Sequence, residues 1–185
     1  MNAVCLNLNK RKDRWELAQQ EFKKQGLHVQ RFAAIEHDNP FYSFNLSQKI
    51  ILDSIKENTI VFEDDVVFIG DLNEALNDVP EDWDLLYFGG NVTDNLKHHS
   101  GNWWRCKKTY TTHAVAYTPK AAKYISERFY PETDTIYDAF LFEEIQDVLN
   151  CYICKPFVCV QRNGYSDLWL RDVEYGLEHH VNKLK

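Results

Sequence analysis

The chain has 185 residues, 44% of them hydrophobic, and a formal net charge of −7. This length and composition suit a single domain over residues 1–185 with a sizeable core. The acidic balance argues against nucleic acid as a partner, because phosphate backbones bind basic faces. No apolar run reaches the ~18 residues of a membrane span, and charges follow the apolar N-terminal stretch rather than precede it, so we expect a cytoplasmic protein.

The first third of the chain predicts alternating strands and helices. Strands are indicated by alternating or continuous apolar residues, and helices by apolar residues three and four positions apart. In chain order the elements are a strand at 2–8, a helix at 13–25, a short strand at 27–29, a helix whose apolar face carries Leu46, Ile50, Ile51 and Ile55, and a strand at 59–68.

The alternation continues after one interruption, a polar stretch at 91–110 that predicts a loop. In chain order the other elements are a strand at 82–90, a strand at 111–117, a helix that starts at Pro119 behind the cap Thr118, a helix at 137–149 and a β-rich segment at 151–160. This succession favours an α/β domain with a mainly parallel sheet covered on both faces.

The five cysteines do not suggest a disulfide framework. They are scattered as Cys5, Cys106, Cys151, Cys154 and Cys159, and their number is odd. The C-x2-C spacing at 151–154 is compatible with zinc, but the sequence has no second paired cluster. Reduced, buried thiols are the favoured interpretation.

Three consecutive carboxylates, Glu63, Asp64 and Asp65, interrupt the apolar strand TIVFEDDVVF at 59–68. Ionised carboxylates near the end of a buried strand need cations, hydrogen bonds or water. Mg²⁺ and Mn²⁺ prefer oxygen ligands and are often held by one or two carboxylates plus phosphate oxygens. The triplet therefore predicts a metal diphosphate site, although a solvated turn explains many acidic triplets equally well.

Several segments, in order, resemble glycosyltransferase family 25, the lipopolysaccharide-type and procollagen-type galactosyltransferases. The matching segments are CLNLNKRKDRW (5–15), QRFAAI (30–35), VFEDDVVF (61–68), WDLLYFGGN (83–91), THAVAYTPKAAKYI (112–125), YDAFL (137–141) and the pair Ser166 and Asp167. The resemblance implies a GT-A type fold, a Rossmann-like sheet flanked by helices, with a nucleotide-binding part at about 1–90 and an acceptor-side part at about 91–185.

The same resemblance implies an activity and its partners. We expect an inverting transferase that moves a sugar from a nucleoside diphosphate sugar to a hydroxyl of a glycan or glycolipid, as in lipopolysaccharide biosynthesis. A UDP-sugar donor is favoured, such as UDP-galactose or UDP-glucose, with Mn²⁺ or Mg²⁺ as the cofactor. Glu63 and Asp65 would hold the metal, with Asp167 as a later contact, and the ion would stabilise the leaving diphosphate.

Donor-binding candidates follow the predicted strands. Arginine suits bidentate phosphate contacts, and glycine permits close approach, though a basic helix start and a strand-ending turn explain the same residues. The candidates are Asn7, Arg11, Arg14, Asp64, Gly89, Gly90 and Asn91, and Trp103 and Trp104 in the predicted loop either stack on a sugar or pack onto the core.

Inversion by direct displacement needs a base beside the acceptor hydroxyl. Asp138 is the first candidate, with Glu143, Glu144 and His113 behind it. An acid at the start of a helix also complements the helix dipole, so a structural role for Asp138 is equally compatible with the sequence. His113 lies in an apolar strand, where core histidines are common.

One block departs from the family pattern Gly-Cys-x-x-Ser-His. The corresponding SFNLSQ at 43–48 keeps Ser47, while Ser43, Phe44 and Gln48 replace the other family residues. This departure keeps open a catalytically impaired sugar-nucleotide-binding protein. A magnesium-dependent phosphoryl-transfer domain is a weaker alternative, because the sequence has no GxxxxGK[ST] phosphate loop.

Overall fold

An eight-stranded sheet forms the centre of the computed structural model, which describes residues 1–176. In chain order the strands are β1 (Asn2–Asn7), β2 (Gln30–Ala33), β3 (Thr59–Glu63), β4 (Val66–Phe68), β5 (Leu85–Tyr87), β6 (Asn91–Val92), β7 (Lys97–Ser100), β8 (Trp103–Arg105), β9 (Thr109–Tyr110), β10 (Ala114–Tyr117), β11 (Cys151–Cys154), β12 (Cys159–Gln161), β13 (Gly164–Ser166) and β14 (Arg171–Val173).

Within the described residues, five α-helices accompany the strands. They are α1 (Lys12–Lys24), α2 (Pro40–Ser54), α3 (Leu72–Ala75), α4 (Pro119–Ser126) and α5 (Tyr137–Phe140), with a 3-10 turn at Leu76–Asp78 and a π-helical turn at Leu141–Ile145. The Thr118 hydroxyl accepts the Ala121 amide at 3.1 Å, and Pro119 follows it. The sequence-predicted start of α4 is therefore confirmed.

The main sheet has the order β2-β1-β3-β10-β5-β11-β8-β7. Strand β1 is parallel to β2 and β3, and β5 is parallel to β11. Strand β10 lies antiparallel between β3 and β5, and β8 is antiparallel to both β11 and β7. Within this sheet β10 and β8 are therefore antiparallel to the other six strands, which all run in one direction. This arrangement confirms the predicted α/β class and mainly parallel sheet.

Apolar residues cover both faces of the sheet. Along β1 and β3, Cys5 and Phe62 point to the face that packs with Phe22 of α1. Their neighbours Leu6 and Val61 point to the opposite face, which packs against α2, α4 and α5. This alternation is the period-two pattern of an extended strand, and it confirms the prediction of a sheet covered on both sides. All five cysteines are buried free thiols, as expected.

Several predicted elements differ from the structure, among them the strand predicted over 59–68, which is divided into β3 and β4. The second strand is Gln30–Ala33 rather than 27–29, and the helix predicted over 137–149 is a single α-turn followed by a π-helical turn. The predicted loop at 91–110 contains four short strands, two of which extend the main sheet. In α2, Ile50 is 38% exposed, whereas Ser43, Ser47 and Gln48 are buried, so the apolar face assigned to this helix was partly misplaced.

The domain prediction for residues 1–185 extends beyond the described residues, and the division near residue 90 stays a prediction.

Candidate functional site

The acidic triplet forms a tight turn at the carboxyl end of β3. Glu63 is the last residue of that strand, and Asp64 and Asp65 make the turn into β4. Strand β1 runs parallel beside β3, with Leu6 opposite Glu63 and Asn7 following. The side chains of Asn7, Asp64 and Asp65 are all buried, so the ends of two central strands place polar groups at one edge of the sheet.

Asp64 is held by a chain of hydrogen bonds. Asn7 Nδ2 donates to Asp64 Oδ2 at 2.7 Å, and Arg14 Nη1 donates to Asp64 Oδ1 at 2.9 Å. Arg31 Nε in turn donates to Asn7 Oδ1 at 2.8 Å, which fixes the orientation of the amide. Burial raises the pKa of Asp64, and the Arg14 charge opposes that rise. Both carboxylate oxygens of Asp64 are therefore already engaged by the protein.

Glu63 and Asp65 are less well satisfied. Thr112 Oγ1 donates to Glu63 Oε1 at 2.7 Å, whereas Asp65 Oδ2 has Gln161 Nε2 at 3.5 Å and Arg14 Nη2 at 3.9 Å. No hydrogen-bond donor of the described chain reaches the buried Asp65 Oδ1. Burial raises the pKa of both carboxyls, to about 8 for Glu63, where the Asp65 charge adds to the effect, and to about 6 for Asp65. Arg14 therefore balances the negative charge of these two acids only in part.

A cavity of about 540 Å³ opens in front of this turn. All three acids of the triplet line it, together with Asn7 and Arg14. Other lining groups come from the β2–α2 connection, from the residues before β10, from α5 and from the hairpin β13–β14, and they include Glu36, Asp38, Ser43, Ser47, Thr111, Asp138, Asp167 and Trp169. The predicted residues Asn7, Arg14, Glu63, Asp64 and Asp65 thus border one open cavity.

The environment of Glu63 and Asp65 fits a divalent cation. A buried carboxylate oxygen without a donor, beside a second carboxylate, is the kind of hard ligand pair that Mg²⁺ and Mn²⁺ accept. Within residues 1–176, however, no group of three or more His, Cys, Asp or Glu side chains is arranged around one metal position. Two carboxylates would leave the remaining positions to phosphate oxygens and water, as is usual for magnesium bound with a nucleotide.

Asp167 does not join these two acids. It forms ion pairs with Lys10 and with Arg11, and the Lys10 Nζ lies 2.9 Å from Asp167 Oδ1. Although burial raises the pKa of Asp167, these hydrogen bonds hold it below its ordinary value. The structure therefore places Asp167 and Arg11 in a contact between the β13–β14 hairpin and the start of α1, and a metal role for Asp167 stays a prediction.

Asp138 lies in the cavity wall at the start of α5. Burial raises its pKa, while the backbone amides of Ala139 and Thr111 oppose the rise. Thr111 has a φ of 74°, a left-handed conformation that is strained for a β-branched residue. The charge of Asp138 also acts on Glu63 and raises the Glu63 pKa. Asp138 is thus a partly buried carboxyl on the wall of the cavity that contains the acidic turn, where a base for an acceptor hydroxyl would need to lie.

The other candidate bases lie outside the cavity lining. His113 is 3% exposed and sits just before β10, where its ring faces Gly89. Glu143 and Glu144 lie on the exposed side of the π-helical turn. None of these side chains borders the cavity that contains the acidic turn, so the structure brings only Asp138 of the candidate bases to that cavity. Catalytic roles for Glu143, Glu144 and His113 stay predictions.

The glycines at the end of β5 are explained by backbone packing. A Cβ on Gly89 would lie 2.0 Å from the Cys159 carbonyl oxygen, and one on Gly90 would lie 2.7 Å from Thr109 Cγ2. Asn91 is exposed and pairs with Tyr110 between β6 and β9. These three predicted donor-binding residues do not line the cavity, and their donor role stays a prediction.

No protein-family model matches the sequence, and a search of curated proteins gave no match. Among solved structures, the chain is similar to a glycosyltransferase involved in the glycosylation of the major capsid of PBCV-1, with a TM-score of 0.52 and 10% identity over 84% of this chain and 83% of that one. It is also similar to A197 from STIV, with a TM-score of 0.53 and 9% identity over 94% and 93% of the two chains. The chain has a GT-A-like glycosyltransferase fold.

The GT-A-like fold confirms the predicted fold class. At these identities the likeness shows the fold alone, so membership of glycosyltransferase family 25 stays a prediction. No helix within residues 1–176 is long and apolar enough to cross a membrane.

Some residues of the site were not predicted from the sequence. Thr112 and Gln161 contact the acidic turn, and Trp169 lines the cavity from the β13–β14 hairpin. Trp169 lies two positions after Asp167, so the SDLW run was the available signal. Sequence reasoning considered Trp103 and Trp104 for sugar stacking, but Trp103 is fully buried and its Nε1 donates to the Ala75 carbonyl at 3.1 Å. The packing alternative is therefore correct for Trp103.

Proposed function

We propose that this chain is an inverting glycosyltransferase that takes its sugar from a nucleoside diphosphate sugar bound in the cavity. The observation that carries the proposal is the buried acidic turn at the carboxyl end of β3, where Asp65 Oδ1 has no donor among the described residues and Glu63 lies beside it. The GT-A-like fold is compatible with this chemistry. Family resemblance favours UDP-galactose or UDP-glucose as donor and a glycan or glycolipid as acceptor.

In this proposal Glu63 and Asp65 hold Mn²⁺ or Mg²⁺, which would neutralise the charge that develops on the departing diphosphate. Arg14 opposes the rise in the pKa of Asp64 and orients its carboxyl group, and Asp64 in turn holds Asn7, so these groups shape the wall beside the metal position. Asp138 accepts the proton of the acceptor hydroxyl, since its raised pKa makes it a better base than an exposed aspartate.

The altered SFNLSQ block retains a structural function that supports an intact site. Ser47 Oγ accepts the Ile35 amide at 2.9 Å and donates to the Ser43 carbonyl at 2.7 Å. The hydroxyl of Ser43 also donates to the Ile35 carbonyl. These bonds tie α2 to the end of β2 and so hold one wall of the cavity, without any of the family residues that the block lacks.

The test is a panel of sugar nucleotides with and without Mn²⁺, followed by thermal unfolding and by product analysis. We expect a metal-dependent rise in melting temperature with one nucleoside diphosphate sugar, and its transfer or slow hydrolysis. Asp65→Asn should abolish the shift, whereas Asp134→Asn, at an exposed carboxylate on another part of the surface, should retain it. Binding without turnover across a broad set of acceptors would instead indicate a catalytically impaired binding protein, and no metal-dependent binding would refute the proposal.

A further inference from the structure

Exposed apolar side chains cluster on the hairpin β13–β14. Trp169 is 46% exposed, Leu170 is 63% exposed and Tyr165 is 45% exposed, and the first two also line the cavity. The other large exposed apolar residues of the described chain lie elsewhere. They are at the N-terminus, on α1, on α2, after α4 and after the π-helical turn. A tryptophan at the mouth of a polar cavity is a feature that packing of the core does not explain.

The position of Trp169 is set by one ring contact of its indole and by two features of the backbone around it. Phe41, at the start of α2, packs against it edge to face, with ring centroids 5.4 Å apart and an interplanar angle of 76°. The Trp169 amide donates to Ser166 Oγ at 3.2 Å, and the next residue, Leu170, has a φ of 52°. An ordinary side chain in this left-handed conformation is strained, and such strain is concentrated at binding sites. The ring is therefore fixed in orientation while nearly half of it stays accessible.

The hairpin that carries Trp169 is itself anchored. Asp167 pairs with Lys10 and with Arg11, so the turn is tied to the connection between β1 and α1. The two cations are thereby occupied by a carboxylate of the protein. Arg14 is likewise paired with Asp64. The strongest cations near the cavity are thus neutralised by neighbouring acids.

The remaining charged groups on the cavity wall are mainly acidic. Glu36 and Asp38 line it from the β2–α2 connection, and Asp138 lines it from α5. Carboxylates accept hydrogen bonds from hydroxyl groups and repel anions. A ring that stacks its C–H face on an indole and donates hydroxyls to carboxylates is a neutral saccharide. A phosphorylated or carboxylated sugar would meet like charge on this part of the wall, whereas the diphosphate of the proposed donor would lie at the metal held by Glu63 and Asp65.

We propose that Trp169 is the stacking surface for the acceptor, and that the acceptor is an uncharged saccharide. This inference rests on the proposed function for its assignment to the acceptor rather than the donor. The stack would orient the sugar ring so that one hydroxyl faces the cavity, where Asp138 lies.

The test compares Trp169→Ala with Tyr130→Ala, which removes a 69% exposed aromatic ring that does not line the cavity. Binding of neutral disaccharides such as lactose, cellobiose and maltose is measured by saturation-transfer NMR, and acceptor KM is measured wherever transfer is found. We expect Trp169→Ala to weaken saccharide binding or raise acceptor KM about tenfold, while Trp169→Phe retains most of the affinity. Tyr130→Ala should have no effect.

Separate readouts distinguish this inference from the proposed function. Affinity for the sugar nucleotide with Mn²⁺ should be unchanged in Trp169→Ala. If that affinity falls while saccharide binding is unchanged, the ring contacts the donor base and the inference is overturned. Preference for sialylated or uronic saccharides, or equal effects of both alanine variants, would also overturn it. If the wild type binds neutral saccharides through Trp169 but no sugar nucleotide, the saccharide site stands and the proposed function fails.

Discussion

Replacement of Asp65 by asparagine should stabilise the metal-free protein at pH 8. Asp65 is 4% exposed, and one of its oxygens has no donor among the described residues. Burial raises its pKa from the ordinary value of 3.8 to about 6, so above pH 6 the folded protein holds a charge that burial disfavours. An amide has nearly the same shape as the carboxyl group but carries no charge, so it removes this penalty.

The size of the effect follows from the pKa. The difference between 3.8 and about 6 corresponds to about 3 kcal/mol of stability lost by the wild type above pH 6. The pKa of about 6 already includes the attraction of Arg14, whose Nη2 lies 3.9 Å from Asp65 Oδ2, but the asparagine NH2 introduces a buried donor that needs a partner, which we value at about 1 kcal/mol. Arg14 keeps its bond to Asp64. A net gain of about 2 kcal/mol would raise the melting temperature of a domain of this size by roughly 4–8 °C.

The pH dependence has a definite sign. Below about pH 4 both the folded and unfolded states hold the proton, so the favourable contribution of the protonated group is fully present. As pH rises the unfolded chain ionises first, and the contribution is lost through about pH 6 for Asp65 and about pH 8 for Glu63. Metal-free wild type should therefore become less stable from pH 5 to pH 8.5, and Asp65→Asn should show a smaller decline.

The assay is urea unfolding in EDTA at pH 5 and at pH 8, repeated with Mn²⁺. Metal at about a hundred times its dissociation constant would add about 2.7 kcal/mol to the wild type, and we expect little gain in the variant. Asp134→Asn serves as the control at an exposed carboxylate. If Asp65→Asn in EDTA at pH 8 is no more stable than the wild type, the ionised Asp65 carboxylate does not destabilise the metal-free fold. That result would refute the prediction.

Three further substitutions test separate parts of the molecule. Glu21→Ala removes the buried carboxylate that accepts the Phe68 amide at 3.2 Å and pairs with Arg162, so urea unfolding should show a loss of about 1–3 kcal/mol, and a change below about 0.5 kcal/mol would contradict this contact. Trp103→Phe leaves the Ala75 carbonyl without its indole donor, and the urea midpoint should fall by a similar free energy. Asp138→Asn should lower turnover by about 10²–10⁴ with sugar-nucleotide affinity unchanged, and steady-state kinetics showing full activity would exclude Asp138 as the base.

The elements that the sequence predicted well are those whose signals are local. The start of α4 follows from Thr118 and Pro119, and the acidic turn follows from three adjacent carboxylates after an apolar strand. Residues 91–110 were predicted as a loop because β7 (Lys97–Ser100) lies at the edge of the sheet, where polar residues are tolerated and apolar alternation is weak. The fully buried Trp103 was the residue in that stretch that contradicted a loop.

The contacts that join distant segments could not be predicted from periodicity. The Arg11 and Asp167 pair spans 156 positions, and the hydrogen bond from Gln161 to Asp65 spans 96. The buried face of α2 was predicted incorrectly for a related reason. Its cavity side carries Ser43 and Ser47, whose hydroxyls hold the end of β2, so apolar periodicity was bound to select the wrong face.

The polar residues that break the hydrophobic pattern of β3 and α2 lie close together in the fold. The carboxylates follow the end of a strand of the central sheet, and the polar residues of α2 occupy what is elsewhere the buried side of a helix. Both sets line the same cavity, although they belong to elements that are separate in sequence. Buried polar groups lower stability unless they are satisfied, and proteins retain them chiefly at functional sites. The acidic turn is incompletely satisfied by the described chain, whereas the serines are fully bonded. The serines therefore explain how the cavity is built, and we propose that the acids mark where its ligand binds.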